Sequence, residues 1–156
     1  MNLDDHISPH FTFGELTRTD ARHLLDRNRD VPEDLLLRAK ALCLNLLEPL
    51  REHFGSPVVI HSGYRCEALN TMIGGTIRSQ HLHFEAADFH VVGVTLQTVF
   101  DWVWRESGLP FGQVILEGAT RGVPTWLHLS LGEPWRPSKN RQAMLFDGKR
   151  YTEVVA

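Results

Sequence analysis

Between Pro32 and Gly55 the chain places Leu35, Leu36, Ala39, Leu42, Cys43, Leu46, Leu47, Leu50 and Phe54 at three- and four-residue steps, one apolar stripe along a helix. Pro32, with fixed φ and no N–H, suits the first helical position, and Gly55 suits the residue beyond the last turn. Pro49 removes a backbone hydrogen bond inside this helix and predicts a kink there. A stripe of this length needs a second layer to cover it, and the rest of the chain offers strands. Pro57 to Ser62 is β-branched and stopped by Gly63, and Ala86 to Val91 is a second run. Gln113 to Glu117 and Trp126 to Leu131, joined by a Gly/Pro-containing loop, read as an antiparallel pair. Gln142 to Phe146 and Tyr151 to Val155 flank Asp147-Gly148, a hairpin-turn dipeptide. Shorter helices are predicted after the Thr12–Glu15 capping box, over about Glu67 to Ile73, and from Thr95 to Gly108, where Leu96, Val99, Phe100 and Val103 share a face. With no repeat or linker, the reading is one α+β domain over residues 1–156, with helices packed on a mainly antiparallel sheet.

The charge balance narrows the partners. Sixteen Lys and Arg against nineteen Asp and Glu leave a formal charge of −3, without the basic excess that attracts phosphates, so nucleic acid is not expected as a partner. Every apolar run is far shorter than the roughly 20 residues of a transmembrane helix, so no membrane insertion is expected. Met1 to His6 has neither a basic start nor an apolar signal core, which predicts a chain without a secretion signal that accumulates in the cytoplasm. Cys43 and Cys66 form no CxxC pair and read as buried thiols. Nine histidines are many for this length, although His6, His10, His23 and His53 lie in polar terminal or helical stretches.

The informative stretch is Ser79-Gln80-His81-Leu82-His83-Phe84-Glu85-Ala86-Ala87-Asp88, followed by Trp126-Leu127-His128-Leu129-Ser130. Spacing alone says little: a His and an Asp seven residues apart fit no helical ligand pair, and a lone strand histidine is commonly a core residue. The context says more. Asp88 follows Ala86-Ala87 and His128 sits between two leucines, so both polar groups interrupt apolar strands. A buried carboxylate and imidazole need partners, and one divalent ion held by His, Asp and His would serve both.

These residues resemble the pattern of the zinc D-Ala-D-Ala carboxypeptidase-like peptidoglycan peptidases of the M15 type, which share their fold with the hedgehog signalling domain. The family's Ser-x-His-x-x-Gly-x-Ala-x-Asp with a later Trp-x-His falls on Ser79, His81, Ala86, Asp88, Trp126 and His128. Its upstream Ser-Gly-Tyr-Arg-x-x-x-Leu-Asn is present as Ser62-Gly63-Tyr64-Arg65 and Leu69-Asn70, and the similarity runs from Ser8 to Arg141. One position departs: the family glycine is Phe84, which implies a reshaped loop or altered specificity. The resemblance implies one zinc ion held by His81, Asp88 and His128 with the fourth position open to water. Some relatives carry the base three positions before the last histidine, but that position is Thr125. The resemblance therefore points to Glu117, on the strand paired with the one bearing His128; the bland reading of Glu117 is a solvated strand end. Arg65 resembles the arginine that contacts the substrate carbonyl or carboxylate, or else is a surface arginine near a helix start. Ser79 either binds substrate or braces the ligand loop.

Other groups stay open. Asp88 and His90 share a face if their strand is extended, which makes His90 a neighbour or substitute ligand. His83 reads as exposed or groove-lining, and nothing in the spacing of His61 decides its role. Trp126 belongs to the ligand strand, while Trp102, Trp104 and Trp135 read as packing. The function implied is zinc-dependent hydrolysis of a stem or crosslink peptide of bacterial peptidoglycan, as a carboxypeptidase or endopeptidase, in the manner of phage or prophage lytic enzymes that act at the wall. The rival is a non-catalytic zinc-stabilised module that binds wall peptide or protein.

Overall fold

The structure is a computed structural model that describes residues 1–117 and 124–154. The short strands β1 (His6–Ser8) and β2 (Phe11–Thr12) pair with each other and lead into α1 (Phe13–Leu16), whose Thr12–Glu15 capping box is formed as the sequence predicts. After α2 (Leu25–Arg29) the apolar stripe becomes α3 (Glu33–Leu42), a π-helical turn over Cys43–Leu47, and α4 (Glu48–Phe54). Pro49 lies in the first turn of α4, and the π turn just before it takes up the change in hydrogen-bond register. Pro32 stands one residue outside the helix, at its N-cap.

The main sheet contains β3 (Val58–Ser62), β4 (Ala86–Val91), β5 (Phe111–Glu117), β6 (Trp126–Leu131), β7 (Gln142–Phe146) and β8 (Tyr151–Glu153), in the order β3-β4-β6-β5-β7-β8. Every neighbouring pair is antiparallel except β5 with β7, which is parallel. This is the mainly antiparallel α+β architecture predicted from the sequence. The predicted extension of the last strand to Val155 and most of the loop between β5 and β6 lie outside the described residues.

Strand alternation divides the sheet into two chemistries. Ala87, Phe89, Val114, Leu116, Leu127 and Leu129 share one face and join the core formed by Leu42, Leu46, Leu47 and Leu50, with Val99, Phe100 and Val103 from α5 (Leu96–Asp101) and the turn after it. Asp88, His128, Ile115 and Glu117 lie on the other face: Asp88 stands opposite His128, and His128 opposite Ile115. The apolar half of each strand fixes the register, because a one-residue slip would turn the leucines out and the polar set in. Among the described residues, no helix is long and apolar enough to cross a membrane.

Candidate metal centre

Three side chains from two strands and one turn converge on the polar face of the sheet. His81 comes from a 3₁₀ turn over Gln80–His83, Asp88 from β4 and His128 from β6, and all three are buried. Asp88 Oδ1 lies 2.9 Å from His128 Nδ1 and 3.2 Å from His81 Nε2, and the two ring nitrogens are 3.3 Å apart. A tetrahedral ion with ligand bonds of about 2.0–2.1 Å separates its ligand atoms by about 3.3 Å, so the three atoms are spaced to hold one divalent metal.

The surrounding contacts set which atoms face inward. Nδ1–H of His81 donates to the Gly63 carbonyl at 2.6 Å, which leaves Nε2 as a lone pair toward the cluster. Gly63 is required for this: a Cβ there would stand 2.3 Å from the Leu16 carbonyl oxygen, so only glycine lets the segment after β3 lie against α1. Nε2–H of His128 donates to Gln80 Oε1 at 2.9 Å. Asp88 divides its oxygens, Oδ1 toward the histidines and Oδ2 accepting from Arg65 Nη2 at 2.5 Å, while Arg65 Nε also donates to Ser62 Oγ. Burial pushes the His81 imidazole below its usual pKa and keeps it neutral, as a ligand must be. Burial works to raise Asp88, but its polar partners outweigh it and hold the carboxyl below the usual carboxylate range. An ionised carboxylate facing ring lone pairs is a donor set that a cation completes.

Glu117 stands opposite Trp126, two residues along β5 from the partner of His128, so the two are diagonal neighbours on one face rather than a direct pair. Its carboxylate is half-buried, and Oε1 accepts a hydrogen bond of 2.6 Å from the Tyr151 hydroxyl. Beside Asp88 runs an open groove of about 480 Å³, walled by Arg18, His61, Arg65 and Trp126 with Leu69, Met72 and Ile73 as its apolar part.

The Peptidase M15 family profile matches residues 9–117, more than half of the chain. The chain belongs to the peptidase M15 family. By family it is a metallopeptidase. The match contains Arg65, Ser79, His81, Asp88 and Glu117; His128 lies beyond it and stands opposite Asp88 on β6. No curated protein matches the chain.

The remaining predicted residues of this M15 domain fall around that centre. Ser79 immediately precedes the turn that carries His81, and its hydroxyl makes no hydrogen bond among the described residues. Phe84 adopts a left-handed backbone, φ 55°, which glycine takes most readily, so the turn keeps that geometry without the glycine. Its ring is wholly buried against Tyr64 and does not line the groove. His90 does not join the three-residue cluster: its Nδ1 lies 2.8 Å from His61 Nε2 on the neighbouring strand. His83 is half-buried and stays outside the cluster too. Trp102 and Trp135 pack as expected, against His53 and Arg38.

Sequence reasoning misses several neighbours. Tyr151 reads as a hairpin residue, and only the pairing of β8 on β7 beside β5 reveals its contact with Glu117. Gln80 and Arg18 carry no spacing signal. Glu85 is buried and accepts from both Arg38 and Arg136, tying the turn to α3 and to the segment after β6. Cys43 is inert by burial, its thiol pushed up to about 12.

Proposed function

We propose that the chain is a zinc peptidase that hydrolyses a peptide bond in the stem or crosslink peptides of bacterial peptidoglycan, with His81, Asp88 and His128 holding one zinc ion. The observation that carries the reading is the convergence of two imidazole nitrogens and one carboxylate oxygen, at metal-ligand spacing, beside an open groove. Zinc there supplies a Lewis acid and acidifies water, which is the chemistry peptide hydrolysis needs at neutral pH.

The chain's own groups do the rest. Glu117 takes the proton of the attacking water and returns it to the leaving nitrogen. Tyr151 holds the Glu117 carboxylate in place through its hydrogen bond to Oε1. Arg65 is anchored through Nε and one Nη2 bond, which leaves Nη1 to hold a substrate carbonyl or carboxylate from the groove wall. Ser79, with a hydroxyl that bonds no other described residue, offers substrate a second polar contact. Arginines at Arg18 and Arg65 beside Leu69, Met72 and Ile73 suit a peptide of small side chains and free carboxylates, the chemistry of wall stem peptides.

The test is product release from purified peptidoglycan by the zinc-loaded protein, with and without chelator, and mass spectrometry of the fragments. New peptide termini that vanish with chelator are the expected result and identify the bond. Zinc-loaded protein that binds walls of several chemistries without releasing fragments overturns the reading in favour of a binding module.

A further inference from the structure

Gln80 has no place in the reaction above, yet it is one of the most constrained polar side chains near the centre. Its amide oxygen accepts from His128 Nε2 at 2.9 Å, and its amide nitrogen donates to Ser130 Oγ at 2.9 Å. Ser130 is wholly buried, and the same oxygen accepts the backbone N–H of Gln113 at 3.0 Å. That N–H is available because the pairing of β5 with β6 shifts register between Phe111 and Val114. Gly112, inside the irregular stretch, tolerates no Cβ, which would stand 2.3 Å from the Leu131 carbonyl oxygen. The irregularity therefore delivers a donor that anchors Ser130, Ser130 anchors the amide of Gln80, and the amide oxygen is aimed at the ring of His128.

The consequence is tautomeric. A neutral imidazole carries one proton, and for His128 to turn the Nδ1 lone pair toward Asp88 and His81 that proton must sit on Nε2. A buried N–H without an acceptor is costly, so an apolar neighbour at Nε2 would favour the wrong tautomer. His81 meets the same requirement through a backbone carbonyl, which no side-chain substitution removes. His128, on the middle of a strand, meets it through one side chain.

We infer that Gln80 is a positioning residue for the metal centre, which fixes the tautomer and ring orientation of His128 by accepting its Nε2–H. The inference rests on the proposal that His81, Asp88 and His128 bind zinc. Loss of such an outer hydrogen bond weakens metal binding by about 10- to 100-fold.

The experiment is zinc affinity by competition with a chromophoric chelator for the full chain and for Gln80→Leu, Gln80→Glu and Asp88→Asn, joined to nitrogen-15 NMR of the His128 ring. Gln80→Leu is expected to bind zinc at least tenfold more weakly, while Gln80→Glu, which keeps an acceptor at that distance, stays within about threefold of the parent. Equal affinity of Gln80→Leu and the parent overturns the role, and so does a Gln80→Glu variant that falls as far as Gln80→Leu. If Gln80→Leu does not fold, the His128 Nε2–H resonance decides: a downfield move in zinc-loaded Gln80→Glu supports the contact, and an unmoved resonance overturns it. Asp88→Asn without zinc beside Gln80→Leu with undiminished affinity removes Gln80 and leaves the centre standing. A parent chain that binds no zinc removes both.

Discussion

Glu85 and Asp88 are three residues apart, both buried, both paired to arginine, and they do different work. Both oxygens of Glu85 are closed by guanidinium groups, Arg38 from α3 and Arg136 from the segment after β6. One oxygen of Asp88 is closed by Arg65, while the other faces two imidazole nitrogens, one of which, Nε2 of His81, is a lone pair in the neutral ring whose Nδ1–H donates to the Gly63 carbonyl. A buried carboxylate enclosed by fixed cations is a brace. One whose oxygen lies among imidazole nitrogens at metal-ligand spacing is placed to bind a cation. Burial alone, or the presence of an arginine, does not distinguish them.

The largest contrast should come from neutralising each in turn. Asp88→Asn is expected to take the chain from one bound zinc to none after dialysis and to abolish turnover, measured by metal analysis and fragment release. If Asp88→Asn keeps its zinc, the distinction between the two carboxylates collapses. Glu117→Gln separates holding from reacting: zinc content stays at one per chain while turnover falls by about 10²- to 10⁴-fold, the scale of a lost general base. Glu85→Gln is expected to do the reverse, costing about 3 kcal/mol in denaturant unfolding, since it leaves guanidinium groups without a partner, with zinc affinity of the folded protein within about threefold of the parent.

Much of this was legible in the sequence, for a physical reason. The leucine stripe, the β-branched runs and the Asp147-Gly148 turn are local signals, and they place the helices and strands to within a few residues. Asp88 and His128 are readable because polar residues inside apolar strands demand an explanation, whereas His81 enters only through the resemblance to the M15 pattern. What is not legible depends on chain segments meeting at a distance. The parallel pairing of β5 with β7 has no local signature, and it is what brings Tyr151 to Glu117. The π turn at Cys43–Leu47 leaves the apolar periodicity intact, so the stripe hides it. Nothing local marks Glu85 as a buried brace, because its partners Arg38 and Arg136 arrive from 47 residues before it and 51 after it. Phe84 looks like a defect in the motif until its ring is seen filling the core beside Tyr64.

The smallest effect sharpens the picture of Asp88 and its neighbours in the metal-free protein. The folded-state pKa of His81 lies below its ordinary value, so as pH falls through about 6.5 the unfolded chain binds a proton that the folded chain does not. Stability of the apoprotein is therefore expected to fall between pH 7.5 and 5.5, with a limiting slope of about 1.4 kcal/mol per pH unit for one proton. His61, lowered by burial and by His90, acts with the same sign. Asp88, held low, keeps its contribution until pH drops below about 4, where protonation in the unfolded state begins to remove it. Thermal unfolding of apoprotein across this range measures the slope, and a flat profile above pH 5 contradicts a buried neutral His81.

The central claim is that His81, Asp88 and His128 hold one zinc ion, and zinc K-edge X-ray absorption of the loaded protein tests it most directly. The account predicts one zinc per chain with two imidazole rings and an oxygen shell at about 2.0–2.1 Å. A sulfur shell from Cys43 or Cys66, or zinc with no imidazole scattering, would contradict it.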